Sequence, residues 1–120
     1  MIKNGLLVTA DQEMEADLLL SDGIIAVVGP DLAAPEGAEI IDARGLMLMP
    51  GGGDVPPHLD LTVPPAHASD GWYSGTVAAA FGGVTSVIEH PGFGPLGCSL
   101  RRQLDLYRKN AAPAVIDYGL

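Results

Sequence analysis

The chain has 120 residues, 48% of them apolar and 18% charged, which is enough apolar content for a packed core. Fifteen acids against six bases give a net charge of −9 and an isoelectric point near 4.4, a balance that repels phosphate backbones and excludes nucleic acid as a partner. The lone cysteine, Cys98, excludes an intrachain disulfide and suits a reducing compartment; with no apolar signal core in Met1-Ile2-Lys3-Asn4-Gly5, the expected location is the cytoplasm.

Residues 1–49 read as short strands joined by turns. Leu6-Leu7-Val8-Thr9 is rich in β-formers, Asp11-Gln12-Glu13 interrupts it, and Ala16 to Leu20 resumes before the turn signal Ser21-Asp22-Gly23. Ile24 to Val28 continues the pattern to Gly29-Pro30, and Asp31 to Gly37 is a polar loop. Ile40 to Ala43 and Leu46 to Met49 then flank the Arg44-Gly45 turn. Strands at this spacing predict a β-sandwich-like unit or partial barrel. Asp11, Asp22 and Asp42 each stand beside a turn, where a carboxylate ordinarily bonds local backbone.

Residues 50–120 form the second predicted domain. Met49-Pro50-Gly51-Gly52-Gly53-Asp54 is a glycine-rich junction that leads through Val55-Pro56-Pro57 to His58, with Asp60 just beyond. Leu61 to His67 contains Pro64-Pro65 and reads as a loop. Ser69 is a suitable N-cap, with Asp70 in the first turn of a helix running to Phe81. Trp72, Thr76, Ala79 and Ala80 share one face of that helix, and Gly82-Gly83 ends it. Val84 to Ile88 is an unalternated, β-branched strand, as for a strand covered on both sides. Gly71 to Ile88 is uncharged and reaches the length of a membrane span, but its glycines and hydroxyl residues favour a buried helix followed by a buried strand.

Glu89 to Pro95 is a loop, and a second helix spans about Ser99 to Asn110 with Leu100, Gln103, Leu104 and Tyr107 on one face. Ala114 to Tyr118 is a third strand, giving a βαβαβ order.

The junction resembles the barrel entry of the amidohydrolase superfamily, in its branch of hydantoinases, dihydropyrimidinases, allantoinases and dihydroorotases. There the pattern is Pro-Gly-Gly-x-Asp-x-His-x-His; here its two histidine positions fall on Pro56 and His58. The likeness extends back through Ile41-Asp42-Ala43 and forward through Gly82-Gly83-Val84-Thr85-Ser86-Val87-Ile88, covering almost the whole chain. It implies a fold of the α/β class: an N-terminal β-sandwich portion, then the first β/α units of an incomplete (β/α)₈ TIM barrel, since a whole barrel takes roughly 250 residues.

The resemblance implies a metal-dependent hydrolase of C–N bonds in cyclic amides other than peptides, such as hydantoin, dihydropyrimidine or dihydroorotate. In such enzymes two zinc or similar divalent ions, bridged by a carboxylated lysine, activate the water that attacks the ring amide, and an aspartate takes the proton. That lysine, two further histidines and the aspartate would fall after Leu120, so the fragment alone is expected to be inactive. The full-length parent would be a homo-oligomer, a dimer or tetramer, acting on a small molecule with no membrane partner.

His58 is the strongest candidate ligand, because it ends a predicted strand on the face where such barrels hold their chemistry. Pro56 has no donor atom, so one ligand position is lost. His90 ends the next strand and is either a replacement ligand or a loop histidine. Asp60 and Glu89 are either carboxylates that orient an imidazole or solvated loop acids. Leu61 and Val63 lie where the relatives place a gate over the substrate, which makes them candidates for apolar substrate contact. Cys98 has no histidine close in sequence to activate it. The alternative to an enzyme is a non-catalytic relative that keeps the fold for assembly, a reading that Pro56 supports.

Overall fold

The computed structural model describes residues 1–120 as two compact units, Met1–Pro50 and Gly51–Leu120. In the first, β1 (Ile2–Val8), β2 (Glu13–Ser21) and β3 (Ile24–Gly29) are followed by the short strands β4 (Ile41–Asp42) and β5 (Met47–Leu48). β2 lies antiparallel between β1 and β3, and the other edge of β1 takes β4 and β5 in parallel. The β2–β3 turn has Asp22 at φ 52° and Gly23 at φ 76°, the left-handed pair that matches the twist of a tight hairpin. All five strands belong to one mixed sheet. The late strands are too short to found a second sheet, and they complete the open edge of β1 instead.

Asp17, buried in β2, organises this unit. Its carboxylate accepts from the Asn4 N–H at 2.8 Å and the Leu32 N–H at 2.9 Å, and pairs with Lys3 Nζ at 3.0 Å. Asn4 sits at φ 61° where the β1–β2 register slips, so the bulge aims its N–H at Asp17. Asn4 Nδ2 also donates to Asp42 Oδ1 at 2.9 Å, and Asp42 accepts from the Arg44 N–H as a turn acid does. At the first turn, Thr9 Oγ1 rather than the Asp11 carboxylate accepts the Asp11 and Gln12 N–H groups.

The second unit runs β6 (Gly52–Asp54), β7 (Thr62–Val63), β8 (Ala66–His67), α1 (Trp72–Phe81), β9 (Val84–Ile88), α2 (Leu100–Ala111) and β10 (Asp117–Gly119). β9 lies between β6 and β10, parallel to both, and the chain order β6-α1-β9-α2-β10 is the expected βαβαβ. The stretch predicted as a plain loop forms the β7–β8 hairpin, turned at Pro64-Pro65. Leu59, Trp72, Val87 and Ala111 form the core, with Val84, Tyr107, Ala114, Ile116 and Leu120 packed around it. A Cβ at Gly75 would run into Leu59, so this glycine lets the chain after β6 lie against α1. Thr76, also buried, donates to the Trp72 carbonyl and accepts from the Val115 N–H at 3.2 Å, tying α1 to the approach to β10.

Several boundaries differ from the sequence reading. α1 begins at Trp72 with Gly71 as its cap, not at Ser69, because the Asp70 carbonyl is engaged by the Asp60 N–H at 2.9 Å and stays outside the helix. Ser99 caps α2, accepting from the Arg102 N–H, and Gln103 on the predicted inner face is buried; Leu100, placed on that face, is 91% exposed in the first turn. β9 is not covered on both sides: Val87 is buried in the core and Val84 packs against it, while Thr85, Ser86 and Ile88 are exposed. No helix is long and apolar enough to cross a membrane, since α1 ends at Gly82-Gly83.

The Asn4 N–H first, then the Lys3 ammonium, hold the Asp17 carboxyl below the usual aspartate range, and the Asn4 side-chain amide does the same for Asp42. A carboxyl lowered on folding stabilises the fold above its unfolded pKa, about 3.9, and that contribution is lost as pH falls through the lower folded value. Acidification below about pH 4 should therefore loosen the β1–β2 pairing, and Asp17→Asn should flatten this part of the pH dependence. Amide exchange of the Asn4 and Leu32 N–H groups against pH gives the check; equal acid sensitivity in wild type and Asp17→Asn would contradict the assignment.

Candidate metal centre

β6 and β9 run parallel and adjacent, so the segments leaving their C-terminal ends emerge side by side. β6 stops at Asp54. Pro56 and Pro57 have no N–H to extend the ladder, and the chain instead turns through His58 and Asp60, both at φ 54°, with buried Leu59 between them. Pro56 and His58 therefore do not share a strand face, which corrects the strand-end geometry expected for this segment. His90 follows β9 directly after Glu89.

The Glu89 side chain joins the two segments. It is 3% exposed; Oε2 accepts from the Leu59 N–H at 2.8 Å, and Oε1 accepts from the His90 N–H at 3.0 Å. Oε1 also stands 3.9 Å from His58 Nδ1, and no lysine or arginine lies within ion-pair distance. The His58 and His90 rings meet edge to face, with centroids 4.9 Å apart. One donor atom from each of His58, Glu89 and His90 lies within 4.8 Å of the others. Asp60 faces elsewhere: Oδ2 accepts from Asn110 Nδ2 at 3.1 Å, and Oδ1 is 3.5 Å from His67 Nε2. His67, more than half exposed, bonds Thr62 Oγ1 across the hairpin at 2.6 Å.

The loop after His90 is held from α2. The Gly92 N–H donates to Tyr107 Oη at 2.8 Å, and Gln103 Nε2 donates to the Gly92 carbonyl at 3.0 Å. A cleft of about 740 Å³ opens beside this loop, lined by Leu61, Val63, Trp72, His90, Phe93 and Tyr107 among others. Leu61 and Val63 thus stand in the same cleft as His90. Cys98 is half-buried and free, with its Sγ toward Gly94. The sequence reading did not single out Gln103 and Tyr107 for this site. Their four-residue spacing on the inner helix face was visible, but nothing in it showed that both would turn their polar ends to one loop residue, Gly92.

The donor chemistry fits a divalent transition ion: two imidazoles and a carboxylate, the ligand types zinc takes. A tetrahedral ion with bonds of about 2.1 Å sets its donors about 3.4 Å apart. The His58–Glu89 separation of 3.9 Å is near that value, and both histidines are exposed enough to close the remainder by rotation.

A D-phenylhydantoinase of Escherichia coli O1:K1 is 48% identical to this chain over 99% of its length. A solved D-hydantoinase superposes on 98% of it with a TM-score of 0.91 and 44% identity. The dihydropyrimidinase of Brevibacillus agri gives the same TM-score and coverage at 41% identity. The chain is similar to the N-terminal part of these amidohydrolase-family proteins. It spans about a quarter of these relatives' length: 26% of the first, and 25% of each solved chain. No family model matches it.

Within this segment, Tyr107 fixes the loop that carries His90 toward the cleft. Tyr107→Phe keeps the ring in the core but leaves the Gly92 N–H without an acceptor, and should cost about 1 kcal/mol or somewhat more. Denaturant unfolding would show the loss and amide exchange would show a faster Gly92; unchanged Gly92 protection would contradict the anchor.

Proposed function

We propose that the chain is the N-terminal portion of a metal-dependent hydrolase that opens the C–N bond of a cyclic amide of the hydantoin or dihydropyrimidine type. The observation that carries this reading is the convergence of His58 and His90 on Glu89 beside a cleft holding Leu61 and Val63. In this proposal His58 and His90 hold zinc or a similar divalent ion, which would supply a water of lowered pKa for attack on the ring carbonyl. Glu89 positions both histidine segments through backbone N–H groups. Asp60 steadies the hairpin beneath Leu61 and Val63, which contact the substrate's apolar group. The ligands of a second ion and the proton-accepting aspartate belong to the rest of a (β/α)₈ barrel, begun here by β6, α1, β9, α2 and β10. The whole enzyme is proposed to be cytoplasmic and homo-oligomeric.

Pro56 favours a second reading, a non-catalytic relative that keeps the fold for assembly, because it removes a donor where the family pattern places histidine. Activity separates the two. A longer protein carrying this segment should hydrolyse hydantoin or dihydrouracil with zinc, and lose at least 100-fold in kcat/KM on His58→Ala, about 2.7 kcal/mol of transition-state stabilisation. Met1–Leu120 alone should show no turnover above its own His58→Ala control. An intact parent without activity would favour assembly, and turnover by the 120-residue chain would contradict the proposed division of the site.

A further inference from the structure

Glu89 has chemistry that its structural role leaves unused. Each of its oxygens accepts one backbone N–H, yet an ionised carboxylate oxygen has a second lone pair. The group is nearly fully buried, and its sole ion-pair neighbour is the His58 imidazole at 3.9 Å. A buried carboxylate with no cationic partner is costly, and a dication among the same atoms would remove that cost. Oε1, the oxygen 3.9 Å from His58 Nδ1, also accepts the His90 backbone N–H, and one donor atom from each of the three side chains lies within 4.8 Å of the others.

Resting on the proposed role of His58 and His90 as ligands, we propose that Glu89 is itself a ligand. His58, Glu89 and His90 would then form a three-donor site for one divalent transition cation, complete within this chain. Three protein donors with an open position is the arrangement of a catalytic zinc site, and the two-histidine, one-carboxylate set accepts zinc, cobalt or ferrous iron over magnesium. Glu89 supplies the third donor where Pro56 can supply none. The cation binds without a lysine bridge and without residues outside Met1–Leu120. Both histidines are exposed and rotate onto the ion, while the carboxylate is already fixed by the Leu59 and His90 N–H groups.

The test is titration of the purified 120-residue chain with Co²⁺ in excess Mg²⁺, which occupies the weak carboxylate sites of so acidic a protein. Affinity is followed by calorimetry and ligand geometry by the visible absorption of low-coordinate cobalt. Wild type should bind one ion with a strong visible band. His58→Ala, His90→Ala and Glu89→Gln should each weaken binding more than 100-fold and abolish the band, while His67→Ala should bind as wild type does. A carboxylate that only orients a ligand predicts a different result for Glu89→Gln: a loss of 10- to 100-fold with the band retained. That outcome overturns Glu89 as a ligand and leaves the histidine assignment standing. Absence of one-to-one binding in wild type overturns the self-contained site, whereas the hydrolase reading is tested separately by activity of the longer protein. If Glu89→Gln does not fold by circular dichroism, the crystal structure of the wild-type Zn²⁺ complex decides. A Glu89 oxygen about 2.0–2.2 Å from zinc supports the proposal, and a water in that position contradicts it.

Discussion

The second unit depends on one buried carboxylate that accepts two backbone N–H groups from different segments. Glu89 leaves β9 on the same face as Val87, the face that packs on the helices, so its side chain enters a low-dielectric setting. There it takes the N–H of Leu59 from the turn after β6 and the N–H of His90 from its own loop. Bonds of this kind, from neutral donors to an ionised acceptor, are about twice as strong as neutral pairs. They also solve a local problem. The turn through His58, Leu59 and Asp60 follows two prolines and has no strand ladder to satisfy it, and Glu89 gives its central N–H a partner.

The placement of the candidate ligands follows from that contact. Parallel pairing brings the ends of β6 and β9 together, and Glu89 then fixes the turn carrying His58 against the loop carrying His90. Farther along the same loop, Tyr107 and Gln103 grip the two polar groups of Gly92 from α2. His90 is therefore bracketed between two anchored peptides, and its ring lies where the donor cluster meets the cleft of Leu61, Val63 and Trp72. Pre-placed donors of this kind lower the ordering cost of binding an ion or a substrate. The first unit uses the same device in β2, where Asp17 gathers N–H groups from Asn4 and Leu32.

Most of the element order was legible because it rests on local signals. Asp22-Gly23 marked a hairpin, Gly82-Gly83 ended α1, and the β-branched Val84 to Ile88 became β9. The resemblance read from the Pro50-Gly51-Gly52-Gly53-Asp54 junction agrees with the relatives found, and it pointed to His58 as a candidate. What escaped the sequence depends on contacts between distant residues. Nothing near Asp70 in the chain shows that its carbonyl would be taken by the Asp60 N–H and so delay α1 to Trp72. Whether β4 and β5 stack or join the edge of β1 is decided by pairing across the sheet, not by their own composition. Glu89 was visible only as an acid beside a histidine; its burial and its bond to Leu59, thirty residues away, are properties of the fold. Pro56 was legible as a lost donor, but its effect on the backbone, ending β6 at Asp54, required the structure.

If the Glu89 carboxylate holds the His58 turn in place, residue-resolved amide exchange of Leu59 reads it most directly. In wild type the Leu59 N–H should be protected, in contrast to the amides of the exposed residues Leu96 and Gly97. In Glu89→Gln, which keeps the shape but loses the charge and one carboxylate acceptor, Leu59 should exchange markedly faster while the β1 and β2 amides of the first unit keep their rates. A Leu59 amide that is unprotected in wild type, or equally protected in both proteins, would contradict the account.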